Sequence, residues 1–394
     1  MPGAVEIPRG SRYGLANLPY GAFSAGGPSR IGVRVGDSVL DLAAALHDDV
    51  FDAPALNPFL AQGPARWAAV RRQLTELLTA GDVPAAALHP VADVQLELPF
   101  EVADYVDFYA SEHHAANLGR LLRPGSEPLL PNWKHLPVSY HGRAGTVVVS
   151  GTRIVRPAGQ RKGPADPAPV FGPSARLDIE AEVGFVVGAP SALGTPVPAS
   201  AFAAHVFGAL LVNDWSARDI QAWEYVPLGP HQGKSFATSV SPWVVPLAAL
   251  NAARVALPGQ HPAPLPYLRE TENWGLDIEL AVAWNGQLVS RPPYASMYWS
   301  PAQMLAQLTV NGASVRTGDL FASGTVSGPE RSQRGAFIEL TWGGAEPVTV
   351  GGQQRAFLED GDTVTISATA PGTAGQRIGF GEVTGTIMPS PMVA

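Results

Sequence analysis

The alternation of apolar and polar residues predicts that short β-strands dominate this chain. Residues 177–187 alternate strictly, which places their apolar side chains on one strand face. Residues 276–284 alternate in the same way and end in Asn285-Gly286, a pair that favours a tight hairpin turn. Residues 30–40 form another predicted hairpin, with Gly36-Asp37 at its turn. The pattern therefore predicts a mainly β fold of the α+β class.

Other segments predict helices or irregular structure. Apolar residues recur at helical spacing over residues 67–78, and this helix should end near Gly81. Residues 104–114 run from an extended piece into a helix capped near Ser111. Residues 156–173 are rich in proline and glycine, which disfavour regular structure, so we expect a long surface loop there.

The length of the chain, 394 residues, predicts two domains of unequal size. Its 42 glycines and 38 prolines suit many short strands joined by turns. Residues 90–99 have the composition of a linker that contains one short strand at 94–98. We therefore expect a small domain over residues 1–100 and a larger one over residues 101–394.

Charge and hydropathy argue against several partners. The net charge is −8, and no run of lysine and arginine is long enough to follow a phosphate backbone, so we expect no nucleic acid partner. The first residues lack the charged-then-apolar pattern of a signal peptide, and no stretch approaches the roughly 18 apolar residues of a membrane span. We expect a cytoplasmic protein without a membrane partner.

The absence of cysteine limits any metal site to oxygen and imidazole ligands, which points to a hard cation. Glu180 and Glu182 share one face of a predicted strand, about 7 Å apart, so they either converge on a divalent cation or face water. Asp277 and Glu279 have the same spacing, but nothing around them offers a further ligand or a base. We interpret this second pair as an exposed strand face.

A polar stripe follows an apolar strand in the middle of the chain. Asp214 lies where this strand should run into a helix, and Arg218, Gln221 and Tyr225 follow at helical spacing on one face. The stripe is either a solvated helix face joined by an Asp214–Arg218 ion pair or part of a polar site. The loop that follows is rich in glycine and proline and brings Lys234 to the same region, where an ammonium group can bind an anion.

Two adjacent histidines and one distant glutamate complete the candidate residues. His113 and His114 lie on a predicted helix, where neighbours project about 100° apart, so only one should face a given site. Glu339 lies in a predicted strand over residues 335–342, and it is either a surface carboxylate or the partner that orients a histidine. The loop before that strand carries Thr325, a candidate donor to a substrate.

Several of these segments together resemble the fumarylacetoacetate hydrolase family. The similarity covers residues 100–394 at family-like spacing, whereas the N-terminal part is similar mainly in size and position. The segments that carry the resemblance are Asp107-Phe-Tyr, His114-Ala, Leu130-Pro-Asn-Trp, Tyr140-His-Gly-Arg, Asn213-Asp-Trp-Ser-Ala-Arg-Asp-Ile-Gln, Glu224-Tyr-Val-Pro-Leu-Gly-Pro and Gly233-Lys-Ser-Phe.

The resemblance implies a small N-terminal SH3-like β-barrel, a larger C-terminal β-roll of mixed sheets, and a homodimer. It also implies a Ca²⁺ and/or Mg²⁺ cofactor, with Ca²⁺ slightly favoured because it accepts more oxygen ligands in looser geometry. By the family pattern the metal-binding side chains would be Asp107, Glu180, Glu182 and Asp214, with Lys234 and Thr238 beside a metal position.

The implied reaction is metal-assisted hydrolysis of a carbon–carbon bond in 4-fumarylacetoacetate, a 1,3-diketo acid, to fumarate and acetoacetate. This would be the final step of tyrosine and phenylalanine catabolism. His114 would be the general base with Glu339 as its partner. Arg218, Gln221 and Lys234 would stabilise the negative charge that develops. The substrate would be held by Tyr109, Arg123, Tyr140, Gln221, Tyr225 and Thr325.

Two alternatives stay open at this point. One is a hydrolase acting on acylpyruvates such as fumarylpyruvate, or a 2-keto acid hydratase or decarboxylase of the same superfamily; Arg123 and the long N-terminal domain argue against it. The other is a binding protein that kept the fold and the metal without catalysis, and His114 is the residue that separates it from an enzyme.

Overall fold

The computed structural model describes residues 2–3, 5–163 and 165–391 and shows a mainly β chain with short helices. The strands before residue 100 are β1 (Pro2–Gly3), β2 (Tyr20–Ser24), β3 (Arg30–Val35), β4 (Ser38–Asp41), β5 (Val83–Pro84), β6 (Leu88–Pro90) and β7 (Gln95–Glu97). The helices in this part are α1 (Leu42–Leu46), α2 (Asn57–Leu60) and α3 (Pro64–Ala80).

The remainder of the chain contributes most of the strands. They are β8 (Tyr105–Phe108), β9 (Ser139–His141), β10 (Val147–Val149), β11 (Ile154–Val155), β12 (Ala158–Arg161), β13 (Val170–Pro173), β14 (Leu177–Asp178), β15 (Ala181–Val187), β16 (Val206–Asp214), β17 (Ser216–Ala217), β18 (Thr238–Val240), β19 (Val245–Pro246), β20 (Arg254–Val255), β21 (Gly275–Leu276), β22 (Glu279–Trp284), β23 (Gln287–Ser290), β24 (Leu320–Ala322), β25 (Val348–Val350), β26 (Gln353–Arg355), β27 (Thr363–Pro371) and β28 (Arg377–Met388). The helices are α4 (Glu112–Leu122), α5 (Phe202–His205), α6 (Arg218–Glu224), α7 (Pro301–Thr309) and α8 (Phe337–Leu340).

A mixed sheet lies at the centre of the described part of the chain. Seven of its eight strands follow the order β10-β18-β16-β15-β24-β8-β9, and the eighth, β19, pairs with β16. The pairs β10–β18 and β24–β8 are parallel, and β15 is antiparallel to both of its neighbours. Two further five-stranded sheets are β11-β28-β27-β22-β23 and, in the N-terminal part, the antiparallel β6-β4-β3-β2-β7.

Apolar residues cover both faces of the central sheet. Phe185 and Leu211 belong to a core that also contains Trp284 of the C-terminal sheet. Val186 and Val212, on the opposite face, belong to the core of the N-terminal sheet and its helices. Every residue of β15 is therefore buried, so a carboxylate on this strand has no contact with bulk water.

Most of the predicted hairpins and helices are confirmed. β3 and β4 pair through a turn at Gly36, and β22 and β23 are joined by Asn285 and Gly286, both with the positive φ such a turn requires. α3 ends at Ala80 with Gly81 as its C-cap, and the Ser111 side chain caps α4. The short strand predicted inside residues 90–99 is β7, which pairs with β2 of the N-terminal sheet.

One predicted segment is partly wrong and another is wrong. Residues 156–173 are only partly irregular, because β12 and β13 pair along the whole of their length; residues 162–163 and 165–169 between them belong to no strand or helix, and Pro164 lies outside the described residues. Residues 335–342 contain no strand; they form the short helix α8. The N–H groups of Phe337 and Ile338 bond to the distant carboxylate of Asp178, a contact that alternation over a few residues does not reveal.

In the part of the chain described, no helix is long and apolar enough to cross a membrane.

Candidate metal centre and active site

Four carboxylates meet at one end of the central sheet. Asp107 lies on β8, Glu182 near the start of β15 and Asp214 at the end of β16, while Glu180 directly precedes β15. Each offers one oxygen, and these four oxygens lie within 4.8 Å of one another. All four residues are buried. Glu180 and Glu182 therefore converge with two other carboxylates and do not face water.

The unpaired oxygens of this cluster fit a divalent cation. Both carboxylate oxygens of Glu182 and Oδ1 of Asp107 are buried and have no hydrogen-bond partner among the described residues. Burial and the charge of Asp214 raise the pKa of Asp107 well above its ordinary value, and burial and Asp107 do the same for the pKa of Glu182. A bound cation would stabilise the ionised forms, and a donor set made of oxygen atoms suits Mg²⁺ or Ca²⁺.

Lys234 supplies positive charge to one side of the cluster. Its Nζ donates hydrogen bonds to Glu180 Oε2 at 2.6 Å and to Asp214 Oδ2 at 2.5 Å. Burial by itself would lower the pKa of Lys234, but Asp214 and Glu180 raise it above its ordinary value, so the ammonium stays charged. Thr238 Oγ1 and the Tyr140 hydroxyl also donate to Asp214, at 3.1 and 3.2 Å.

A buried histidine–glutamate pair lies beside the carboxylates. His114 Nδ1 and Glu339 Oε2 are 2.6 Å apart, and His114 Nε2 is 3.9 Å from Glu180 Oε1. Burial would raise the pKa of Glu339, but His114 and hydrogen bonds from Asn117 and Ser327 lower it. The glutamate is therefore ionised and fixes the orientation of the imidazole ring. The neighbouring His113 is only half-buried.

Arg218 and Gln221 lie on the first turn of α6, beside Glu180. Arg218 Nη1 donates to Glu180 Oε1 at 2.7 Å and to Gln221 Oε1 at 3.2 Å. Burial would lower the pKa of Arg218, yet Glu180 and Asp178 raise it. The alternative of an Asp214–Arg218 ion pair is wrong, because α6 begins only at Arg218 and Asp214 is bound by Lys234.

A cavity of about 390 Å³ connects these groups. Arg123 Nε, Arg218 Nη2 and Thr325 Oγ1 are buried without a partner among the described residues, and all three side chains line this cavity. The Tyr109 ring meets the His114 ring edge-on, with 5.2 Å between centroids. The candidate residues that line the cavity are Asp107, Tyr109, His114, Arg123, Tyr140, Glu180, Arg218, Gln221, Tyr225, Lys234 and Thr325.

The remaining candidates reach the cavity indirectly. Glu339 contacts it through His114, and Glu182 contributes to the carboxylate cluster. Asp214 and Thr238 line a smaller adjoining cavity of about 230 Å³, which shares Lys234 with the larger one. The structure thus brings every candidate into one continuous site.

Three residues of the site were not among the sequence candidates. Asp178 is fully buried and bonds to Arg218, while Asn117 and Ser327 donate to Glu339. Asn117 follows His114 by three helical residues, a spacing that could have indicated it. Asp178 continues the alternation of Glu180 and Glu182, but Ser327 gave no signal in the sequence.

The fold and the site define the class of the protein: an enzyme of mixed β-sheets whose cavity adjoins a buried cluster of four carboxylates. Residues 104–387 match the family model described as fumarylacetoacetate hydrolase C-terminal, and residues 16–99 match the model described as fumarylacetoacetase N-terminal. The chain belongs to the fumarylacetoacetate hydrolase family, whose members are metal-dependent.

Similar proteins span almost the whole chain. Fumarylacetoacetase of Homo sapiens is 45% identical over 413 residues, covering 98% of both chains, and that of Caenorhabditis elegans is 44% identical, covering 99% of this chain and 100% of its own. The solved structure of the fumarylacetoacetate hydrolase from Exiguobacterium antarcticum has a TM-score of 0.59 at 18% identity, covering 94% of this chain and 99% of its own. That structural likeness concerns the fold alone.

Proposed function

We propose that this protein hydrolyses 4-fumarylacetoacetate to fumarate and acetoacetate, as the final step of tyrosine and phenylalanine catabolism. The observation that carries the proposal is the buried His114–Glu339 pair, which lies beside four convergent carboxylates in one cavity. Relatives named fumarylacetoacetase, 40–45% identical over nearly the whole chain, support this choice of substrate.

In this proposal His114 is the general base. Its Nδ1 is occupied by Glu339, which leaves Nε2 as the nitrogen that accepts a proton from water. The hydroxide adds to the carbonyl carbon of the fumaryl group, which becomes a carboxylate of fumarate, and the ionised Glu339 stabilises the imidazolium that results. When the carbon–carbon bond breaks, the imidazolium returns its proton to the departing acetoacetate carbon, so the base is regenerated.

Arg218, Gln221 and Lys234 stabilise the negative charge that develops. Arg218 Nη2 is an unpartnered buried donor in a side chain that lines the cavity, and Lys234 stays protonated beside its two carboxylates. Donors held in fixed positions stabilise an oxyanion without having to reorient during the reaction. All three side chains line the same cavity as His114.

The substrate carries carboxylates and carbonyl groups, which need donors spread across the cavity. Arg123 lines the cavity as a cationic residue, and Thr325 offers a hydroxyl with no other partner among the described residues. We assign substrate binding to Tyr109, Arg123, Tyr140, Gln221, Tyr225 and Thr325.

Asp107, Glu180, Glu182 and Asp214 would hold a Ca²⁺ or Mg²⁺ ion, and Lys234 and Thr238 adjoin the same region. A cation held there would supply Lewis-acid chemistry: it would polarise the diketone and stabilise the negative charge on the departing acetoacetate. The four-carboxylate site slightly favours Ca²⁺, because this ion accepts more oxygen ligands in looser geometry than Mg²⁺ does.

The experiment that tests this function compares initial rates on 4-fumarylacetoacetate and fumarylpyruvate at equal concentrations. A higher kcat/KM on fumarylacetoacetate supports the proposal. A clear preference for fumarylpyruvate would assign the chain to the acylpyruvate hydrolases. If metal-loaded protein turned over neither compound, the alternative of a non-catalytic binding protein would be favoured.

We extend the proposal to the organisation of the molecule. The match of residues 16–99 to a separate family model supports domains over residues 1–100 and 101–394, with an SH3-like barrel followed by a β-roll. We also propose a homodimer in the cytoplasm. Light scattering on the purified protein should give twice the mass of one chain; the mass of a single chain would contradict the dimer.

A further inference from the structure

Asp178 is a buried carboxylate that bonds to two separate parts of the site. It is 0% exposed and ends β14. Its Oδ2 accepts a hydrogen bond from Arg218 Nε at 2.8 Å and another from the backbone N–H of Ile338 at 3.0 Å. Its Oδ1 accepts one from the N–H of Phe337 at 2.7 Å. One side chain thus links β14, α6 and α8.

These contacts fix the two groups between which the reaction takes place. Because Nε of Arg218 is held by Asp178, Nη1 reaches Glu180 and Nη2 has no hydrogen-bond partner within the described part of the chain. The other contacts hold the first two residues of α8, directly before Glu339. Glu339 in turn lies 2.6 Å from Nδ1 of His114.

We infer that Asp178 is a positioning residue, which sets the distance between the guanidinium of Arg218 and the His114–Glu339 pair; this inference rests on the proposed function. Asp178 does not line the substrate cavity, so it acts through its neighbours. A displacement of about 1 Å in a catalytic group can lower a rate by about a hundredfold. Loss of the link should therefore reduce kcat and change KM little, because most of the side chains assigned to substrate binding lie outside α6 and α8.

The test is Asp178→Asn, which keeps the size of the side chain. It replaces one carboxylate oxygen with an NH₂ group, which cannot accept a hydrogen bond from the N–H groups around it. We expect kcat on 4-fumarylacetoacetate to fall about 10- to 100-fold with KM within about twofold of the parent. In a Glu339→Gln background the same substitution should reduce kcat by less than about threefold, because the two changes disable one unit. If the Asp178→Asn substitution lowers kcat in the Glu339→Gln background by as large a factor as it does in the parent, the inference is overturned.

Asp362→Asn is the matched control. Asp362 is also buried and accepts hydrogen bonds from an arginine, Arg355, and from the backbone N–H of Glu359, in a part of the chain that contributes no residue to the cavity. It should lower the melting temperature and leave kcat within about twofold of the parent. An equal loss of kcat in both variants would show that the effect of Asp178 is structural and would overturn the inference.

Two further measurements keep the inference testable on their own. If Asp178→Asn does not fold, Asp178→Glu retains the charge and displaces both sets of contacts; its kcat should fall about tenfold, and parental kcat would overturn the inference. If the parent cleaves nothing, the proposed function fails, and crystal structures of the parent and Asp178→Asn decide the inference: Arg218 and residues 337–340 should move apart. An unchanged site would overturn it.

Discussion

His113 and His114 are neighbours in the chain but lie in different environments. His114 is buried against Glu339, whereas His113 is half-buried. Spacing on a helix predicts that only one of them faces the site, and it does not say which one. The difference between these residues offers a direct test of the proposed base.

We expect His114→Asn to lower kcat by about 10²- to 10⁴-fold, the range typical for loss of a general base. His113→Asn is the control and should leave kcat within about twofold of the parent. Both variants should bind the cation as the parent does, measured by calorimetry. A His114→Asn enzyme with parental kcat would show that another group activates the water.

Glu182 tests the metal site at the same scale, because its two oxygens have no partner among the described residues. Glu182→Gln should weaken Ca²⁺ or Mg²⁺ binding more than about tenfold, since even outer partners of metal ligands contribute 10- to 100-fold. Glu279→Gln is the control, because Glu279 is exposed and bonds to Arg291 at the surface. If titration calorimetry gave equal metal affinities for the parent and both variants, Glu182 would not be a metal ligand.

The contrast between Glu182 and Glu279 also shows what residue patterns can predict. Both residues lie in pairs of acids with the same two-residue spacing, and only the surrounding fold distinguishes them. The Asp277–Glu279 pair is exposed as predicted. The first pair is buried because β15 lies inside the central sheet, between strands from distant parts of the chain.

At the scale of elements, helix caps and hairpin turns were predictable, because they depend on neighbouring residues. The Ser111 cap and the Asn285-Gly286 turn belong to this group. The helix α8 was not predictable, because its first N–H groups bond to Asp178, about 160 residues earlier in the chain. Alternation over residues 335–342 therefore predicted a strand, although Glu339 is in fact held on a helical turn.

The cap of α7 gives a prediction about pH. Ser300 caps this helix and donates a hydrogen bond to Glu270, whose pKa burial raises from about 4.5 to about 7. Because the pKa of Glu270 is higher in the folded chain than in the unfolded chain, its protonation contributes fully to stability below about pH 4.5. This contribution is lost as the pH rises through about 7. Glu270→Gln should thus gain about 1–3 °C in melting temperature relative to the parent between pH 5 and 8.

Glu272→Gln is the matched control for this effect, because Glu272 lies two residues away and is exposed. Its melting temperature should follow that of the parent over the same pH range in differential scanning fluorimetry. A Glu270→Gln curve parallel to the parent at every pH would contradict the assigned protonation.

At the scale of the whole molecule, metal binding at the carboxylate cluster would couple the metal to the stability of the fold. Its members come from β8, β15 with the residue before it, and β16, so a bound cation joins three strands of the central sheet. Removing the cation with a chelator should abolish cleavage. It should also lower the free energy of unfolding by about 2–4 kcal/mol relative to protein saturated with metal, which lowers the melting temperature by several degrees. Adding Ca²⁺ or Mg²⁺ back should restore both; full activity in verified metal-free protein would contradict the proposed site.

How the N-terminal sheet and the central sheet pack together was only partly predictable from the sequence. Strand content and mixed sheets follow from local patterns and the family resemblance. The N-terminal sheet also shares an apolar core with one face of the central sheet, where Tyr20 and Phe59 pack with Phe207. Such long-range contacts have no local signature, since each residue is merely apolar in the sequence.

The most direct test of the central claim is the reaction of the purified, metal-loaded chain with 4-fumarylacetoacetate in ¹⁸O-labelled water, followed by mass spectrometry of the products at early times. The proposed hydrolysis predicts equal amounts of fumarate and acetoacetate, with one ¹⁸O atom in a carboxylate of the fumarate. Unchanged substrate, or cleavage that leaves fumarate unlabelled, would contradict the account.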